Sequence, residues 1–196
     1  MIELQPPFRR ARPGDALALA ELVNMAGEGL PLYLWTGMAG AGKSPWDVGL
    51  DRARRETGAF SYRNAIAREE GGEIAACLIG YPLEDDPPPI DYSEIPPMFV
   101  PMQQLEDMAP GTWYLNVLAT YPDYRGKGFG RELMAVAEAI ASDLGKRGLS
   151  IIVADANTGA RRLYEEQGYS ERARRPIVKE AWQTRGSSWV LLVKDL

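Results

Sequence analysis

The spacing of apolar and polar residues along the chain predicts short strands alternating with amphipathic helices. Apolar residues recur at helical spacing over residues 16–25, and Asp15 is predicted to cap that helix. A second helix is predicted over residues 45–57, and two more over 130–145 and 160–167. Runs of strand-forming residues predict strands at residues 8–12, 59–68, 73–81, 113–120, 149–154, 172–178 and 188–194. The predicted order is β-α-α-β-β-β-α-β-α-β-β, with no internal repeat.

Residues 82–111 depart from this pattern. Prolines and acidic residues are crowded there, and proline at such density excludes strand pairing and helix interiors. Loops of this length inside a compact domain are usually functional or disordered. The segment also carries apolar residues between positions 95 and 105, so we expect part of it to pack as a lid with a short helix. We therefore predict a single domain over residues 1–196 with an insert at 82–111.

The composition narrows the classes of protein to which the chain can belong. Its 196 residues suffice for one domain with a sizeable core, and no apolar run is long enough to cross a bilayer. The N-terminus has no signal-peptide core, so we expect a cytoplasmic protein. The absence of histidine excludes a histidine-based triad and a histidine-rich zinc site, and we predict no metal. The single cysteine, Cys77, lies in an apolar run and is predicted to be a buried, inert thiol.

The net charge limits the kinds of molecule that the protein is expected to bind. At −5 it argues against a nucleic-acid surface and suits a cationic acceptor, although many enzymes of neutral substrates are as acidic.

Residues 115–131 carry the strongest indication of function. They predict a buried strand, a turn, a glycine-rich loop over residues 125–130 and a helix directly after it. Glycines let the backbone approach a ligand closely, and N–H groups at a helix N-terminus attract anions. The loop therefore suits a pyrophosphate. A dinucleotide-binding fingerprint fits poorly, because it needs three spaced glycines directly after the strand and an acidic residue about 20 residues later.

This loop resembles the cofactor motif of the GNAT superfamily, the acetyl-CoA-dependent N-acetyltransferases. The family signature is Gln/Arg-x-x-Gly-x-Gly/Ala after a strand, and Arg125, Gly128 and Gly130 match it. Residues 118–122 resemble the family's Leu-Ala-Val-x-Pro, with Thr120 in place of the valine.

A second block strengthens the resemblance. Residues 157–169 are similar to the family's Asn-x-x-Ala-x-x-x-Tyr-x-x-x-Gly-Phe, and the matching positions are Asn157, Ala160, Tyr164 and Gly168. Tyr169 stands where Phe is common. The two blocks follow in the family's order, and the resemblance is strong over residues 113–169 and rests on pattern elsewhere.

The resemblance implies a mixed α/β (α+β) fold, in which helices flank a mixed, mostly antiparallel sheet with a splayed central strand pair. It implies acetyl-CoA as the cosubstrate. The backbone of Leu118, Ala119 and Thr120 is then expected to pair with the pantetheine arm, and the loop N–H groups to bind the pyrophosphate. The implied cofactor-binding residues of the loop are Arg125, Gly126, Lys127, Gly128, Phe129, Gly130 and Arg131.

Two side chains of the second block have implied roles. Tyr164 is expected to protonate the leaving thiolate, and the alternative is a tyrosine that packs in the core. Asn157 is expected to hydrogen-bond a pantetheine amide, cap a helix, or do both. The general base is not identified, because Ile152 occupies the position where relatives often carry glutamate. The candidates are Asp155, a water ordered by Tyr114 and Asn116, and the acidic residues that follow a strand, Glu84, Asp85 and Asp86. A water relay without a dedicated base is the alternative.

Residues 37–44, with the sequence GMAGAGKS, offer a competing interpretation because they satisfy the P-loop spacing of ATP-binding kinases. A P-loop needs a strand before it, which residues 32–35 would supply, and a helix after it. Pro31 and Pro45 weaken this interpretation, since Pro45 removes a backbone donor where phosphate contacts begin.

The sequence thus predicts an N-acetyltransferase acting on a primary amine, preferably of a small molecule. The alternatives are a P-loop kinase or NTPase and a non-catalytic CoA-binding module. A homodimer that pairs the final strands is compatible with the sequence.

Overall fold

The computed structural model describes residues 2–196. Its strands are β1 Phe8–Arg10, β2 Ala65–Glu70, β3 Glu73–Pro82, β4 Thr112–Thr120, β5 Gly148–Ala154, β6 Ser170–Pro176 and β7 Ser188–Asp195. Its helices are α1 Ala16–Ala26, α2 Leu30–Met38, α3 Pro45–Ala53, α4 Val100–Glu106, α5 Phe129–Asp143 and α6 Thr158–Glu166. In the part of the chain described, no helix combines the length and the apolar character that a membrane span requires.

The seven strands form one sheet in the order β1-β2-β3-β4-β5-β7-β6. Strands β1 and β2, β2 and β3, β5 and β7, and β6 and β7 pair antiparallel. The β4–β5 pair is parallel, and its register runs only from Thr112 to Tyr114, although β4 continues to Thr120. The predicted mixed, mostly antiparallel fold is confirmed.

The chain divides into two compact units. The first unit comprises Ile2–Tyr81 and Asn116–Val136. Its core joins the apolar face of α1, including Leu19, to β3, where Cys77 is fully buried. Burial raises the pKa of the Cys77 thiol to about 12, as expected for an inert cysteine. The single domain predicted over residues 1–196 stays a prediction.

The second unit comprises Pro82–Leu115 and Ala137–Leu196. Its core is built from the apolar residues of β5 and β7, which pair along their full length from Gly148 with Asp195 to Ala154 with Trp189. Strand β6 is the last strand of the sheet, and a bulge between Glu171 and Ala173 interrupts its pairing with β7.

Backbone hydrogen bonds hold both ends of the insert at residues 82–111 within this unit. The N–H of Leu83 donates to the carbonyl of Thr112 over 2.9 Å, and the N–H of Gly111 donates to the carbonyl of Glu84 over 2.8 Å. Between these ends, α4 buries Leu105 completely. The short helix predicted in the insert is confirmed, and its role as a lid stays a prediction.

Four local predictions were wrong. Helix α2 was not predicted, because its sequence LPLYLWTGM is apolar on every side and lacks helical periodicity. Strand β2 begins at Ala65 rather than residue 59, since a short 3₁₀ turn occupies Tyr62–Asn64. Asp15 precedes α1 but its side chain does not cap it, because the carboxylate accepts hydrogen bonds from Arg9 and from the N–H of Arg12. Helix α3 also ends at Ala53, short of the predicted residue 57.

Candidate active site

The glycine-rich loop lies in the first unit, between the end of β4 and the start of α5. Gly126 and Gly128 have φ angles of +76° and +88°, which a residue with a side chain rarely adopts. A Cβ at either glycine would meet no protein atom within 4 Å, so the space beside the backbone is open. The chain is thus shaped to bring main-chain N–H groups close to a ligand.

The first turn of α5 adds the helix charge to this loop. The N–H of Glu132 donates to the carbonyl of Gly128 over 3.1 Å, which closes the turn. The N–H groups ahead of it, including those of Phe129 and Gly130, have no acceptor inside the helix. Helix α5 has 15 residues, and its N-terminus therefore carries the partial positive charge that favours an anion.

The side chains of the loop are arranged around two aromatic rings. Phe129 is buried and stacks on Tyr124, with ring centroids 6.2 Å apart. The Lys127 ammonium lies 4.9 Å from the Tyr124 ring centroid, and the Arg125 Nε donates to the carbonyl of Thr120 over 3.2 Å. The charges of Arg125 and Lys127 thus stay exposed beside the glycines.

Strand β4 leads into the loop with alternating burial. Ala119 is buried, whereas Leu118 and Thr120 are half-buried. Tyr121 continues the strand pattern by donating its N–H to the carbonyl of Ala75 over 3.0 Å. The structure therefore brings Leu118, Ala119 and Thr120 together with residues 125–131 in the first unit.

Tyr164 lies on α6 in the second unit and is buried, with a relative exposure of 4%. Its ring centroid is 5.9 Å from that of Tyr169. Burial raises the pKa of the Tyr164 hydroxyl above its ordinary value of 10, so the group stays protonated across the physiological range. Among residues 2–196 this hydroxyl has no hydrogen-bond partner.

Asn157 also lies in the second unit and is the N-cap of α6. Its Oδ1 accepts a hydrogen bond from the N–H of Ala160 over 3.2 Å, and its own N–H donates to the carbonyl of Ala154 over 3.0 Å. The helix-cap interpretation is confirmed. Because the cap uses the carboxamide oxygen, the amide NH₂ remains as a donor, and its contact with pantetheine stays a prediction.

Comparison with known proteins agrees with this geometry. The family model described as Acetyltransferase (GNAT) family matches residues 34–169, more than half of the chain. The chain belongs to the GNAT acetyltransferase family. The predicted family is confirmed, and with it the class of acyltransferases.

Individual relatives of this GNAT protein are distant. The uncharacterized N-acetyltransferase YycN of Bacillus subtilis (strain 168) is 41% identical over 51 residues, which are 26% of this chain and 33% of that protein. The match thus spans a third of the length of this curated relative.

Two solved structures resemble the GNAT protein along nearly its whole length. One of an acetyltransferase has 22% identity and a TM-score of 0.66, and covers 96% of this chain and 98% of its own. An N-acetyltransferase from Staphylococcus aureus Mu50 has 18% identity and a TM-score of 0.66, with coverages of 95% and 98%. At these identities the likeness establishes the fold.

Asp155, one of the candidates for the general base, is already hydrogen-bonded within the second unit. Asp155 is committed to the loop before β7, where it accepts hydrogen bonds from the N–H of Ser187, over 2.8 Å, and from the Ser187 hydroxyl. These bonds hold the pKa of Asp155 at about 2, so the carboxylate is too weak a base to take a proton from an ammonium ion. Within residues 2–196 there is no cluster of three or more His, Cys, Asp or Glu side chains placed to hold a metal ion.

The segment 37–44 does not have the surroundings of a P-loop. Helix α2 occupies the place where a P-loop needs a strand. The Lys43 Nζ pairs with Asp51 over 2.6 Å, and the Ser44 hydroxyl caps α3 by accepting from the N–H of Asp47. The serine thus stabilises the start of α3 as its N-cap, and the lysine is engaged in an exposed ion pair with the same helix.

Sequence reasoning missed two residues, one in each unit. Arg68 on β2 contacts Phe129, and its pairing with the loop has no local signature because 61 residues separate them. Tyr169 carries a buried hydroxyl without a partner in the described structure. Its replacement of the family's common Phe was visible in the sequence and was the available indication.

Proposed function

We propose that the protein transfers the acetyl group of acetyl-CoA to the primary amine of a small molecule. The observation that carries the proposal is the open backbone at Gly126 and Gly128 directly before the positive end of α5. Three phosphate groups make the nucleotide end of acetyl-CoA strongly anionic, and such a loop binds phosphate through N–H groups. Family membership supports acetyl-CoA as the cosubstrate.

The proposed cofactor contacts follow the chain. The backbone of Leu118, Ala119 and Thr120 pairs with the pantetheine arm. The pyrophosphate lies against the N–H groups of residues 126–131, and Arg125 and Lys127 add positive charge beside it. The Asn157 amide donates to a pantetheine carbonyl.

In the proposed reaction the amine nitrogen attacks the thioester carbonyl carbon. The C–S bond breaks, a C–N bond forms, and the ammonium proton leaves to water. Tyr164 gives its hydroxyl proton to the departing thiolate and regains one from solvent. Burial raises the pKa of Tyr164, but the same apolar surroundings also make a thiolate more basic, so the transfer is less uphill than the ordinary values suggest.

The acceptor is proposed as a cationic small molecule. The net charge of −5 favours the approach of an ammonium compound. The ordered insert at residues 82–111 is proposed to cover a modest acceptor. The cytoplasmic location and a homodimer stay predictions.

Calorimetric titration tests the cosubstrate. We expect the protein to bind acetyl-CoA with micromolar affinity and not to bind Mg-ATP. Lys43→Ala is the matched control and should leave acetyl-CoA affinity unchanged, because Lys43 pairs with Asp51. Binding of ATP alone, abolished by Lys43→Ala, would refute the proposal.

Release of free thiol tests turnover. Small primary amines are assayed beside peptides with a free N-terminus or a lysine. Faster thiol release with small amines is expected. Acetyl-CoA binding without turnover of any amine would favour the non-catalytic CoA-binding module.

A further inference from the structure

Arg68 is a buried charged residue of the first unit. It lies on β2, opposite Phe8 of β1 and Ala76 of β3, and its side chain is only 8% exposed. A bulge in the β2–β3 pairing follows it directly, between Arg68 and Glu69. Bulges re-aim neighbouring side chains, and this one lies directly beside Arg68.

The guanidinium reaches the first turn of α5 at two points. Its Cζ lies 3.3 Å from the centroid of the Phe129 ring, so the planar cation covers the face of the ring. Its Nε donates to Oε2 of Glu132 over 3.2 Å. Phe129 and Glu132 are the first and fourth residues of the helix. One side chain therefore fixes both the position and the rotation of the turn that follows Gly128.

The guanidinium of Arg68 is already paired with other groups of the chain. Its Nη1 donates to the carbonyl of Glu69 over 2.8 Å and also pairs with the Glu70 carboxylate. The carboxylates of Glu70 and Glu132 together offset its single positive charge. Its effect on an anion must therefore pass through the geometry of the turn.

We propose that Arg68 is the positioning residue that holds the pyrophosphate-binding turn in its binding conformation. The inference rests on the proposed function and extends it to a residue outside the motif. A planar guanidinium is required, because stacking on Phe129 and donation from Nε in the guanidinium plane cannot be reproduced by an ammonium group.

The test compares two acetyl donors. Acetyl-CoA carries the pyrophosphate, whereas acetyl-pantetheine has the same thioester and arm without it. In Arg68→Met we expect the KM for acetyl-CoA to rise about 10-fold or more, and kcat/KM with acetyl-pantetheine to stay unchanged. Arg68→Lys should behave like Arg68→Met, since it keeps the charge and loses the planar group.

Arg9→Met is the matched control. Arg9 is also a paired arginine in the first unit, but its ion pairs are with Asp15 and with Glu69 on the neighbouring strand rather than with α5. Arg9→Met should leave the KM for acetyl-CoA and kcat/KM with acetyl-pantetheine unchanged. If Arg68→Met does not fold, Glu132→Gln tests the same contact between Arg68 and α5. It should raise the KM for acetyl-CoA and leave kcat/KM with acetyl-pantetheine unchanged.

Each outcome decides a separate question. Equal losses with both donors, an unchanged acetyl-CoA KM, or full rescue by Arg68→Lys would overturn the role of Arg68. A wild-type protein that neither binds nor turns over acetyl-CoA would instead refute the proposed function.

Discussion

Replacing Tyr164 by Phe removes one oxygen atom and tests the proposed proton donor directly. The hydroxyl has no hydrogen-bond partner in the described part of the chain, so no protein hydrogen bond is lost. The ring keeps its contact with Tyr169, at a centroid distance of 5.9 Å. We therefore expect the free energy of unfolding to change by less than about 0.5 kcal/mol.

The expected loss falls on the rate. General acid catalysis contributes about 10²–10⁴-fold, so kcat of Tyr164→Phe should fall by a factor in that range, equivalent to about 3–5 kcal/mol of activation free energy. The affinity for acetyl-CoA should not change, because the hydroxyl acts only on the departing thiolate. Thiol release at saturating acetyl-CoA gives kcat, and calorimetry gives the dissociation constant.

The matched control is Tyr169→Phe, which removes a hydroxyl from the neighbouring ring. That hydroxyl is buried without a partner, so its loss should leave kcat unchanged and raise the free energy of unfolding by up to about 1 kcal/mol. A wild-type kcat in Tyr164→Phe would remove Tyr164 from the mechanism. A parallel loss in both variants would assign the effect to packing of the ring pair.

Three further predictions concern the loop, the sheet and pH. Gly128→Ala should raise the acetyl-CoA dissociation constant about 10-fold, because alanine at a φ of +88° is strained by about 1–2 kcal/mol. Unchanged affinity would contradict binding of the pyrophosphate at this loop. In a urea titration, Gly148→Ala should lower the free energy of unfolding by about 1–3 kcal/mol, because its Cβ would lie 2.3 Å from a carbonyl oxygen. The control Gly159→Ala, at an open helical position, should leave the free energy of unfolding unchanged or raise it. The pKa of Asp155 is held at about 2, below its ordinary value of 3.8, so its contribution to stability is present above pH 3.8 and is lost as pH falls toward 2. Asp155→Asn should remove that part of the acid-induced loss, and an unchanged acid transition would show that the Ser187 hydrogen bonds are absent in solution.

The elements that could be predicted from the sequence are those with a local residue pattern. Strand β4 was predicted within one residue and helix α5 within two, because an apolar run, a glycine loop and an amphipathic helix each leave their own spacing. The N-cap at Asn157 follows from the residue type and the helix after it.

The features that escaped prediction depend on partners far along the chain. Nothing local distinguishes Arg68 from a solvated strand arginine, since its partner Glu132 lies 64 positions later in the sequence and is reached only when the chain folds back. The pairing of Asp155 with Ser187 likewise spans 32 residues. Helix α2 was missed for another reason, because an apolar segment without periodicity does not separate helix from strand.

The outer strand β6 has a consequence for assembly. A strand at a sheet edge presents unpaired backbone groups that can recruit another chain and start aggregation. Here the sequence SERARRP places three arginines and a glutamate on that edge, the bulge after Glu171 distorts it, and Pro176 ends it. Like charges and an irregular backbone would meet if two copies approached edge to edge, so β6 opposes the growth of the sheet into a second molecule. A homodimer of this protein should therefore use a surface other than the β6 edge.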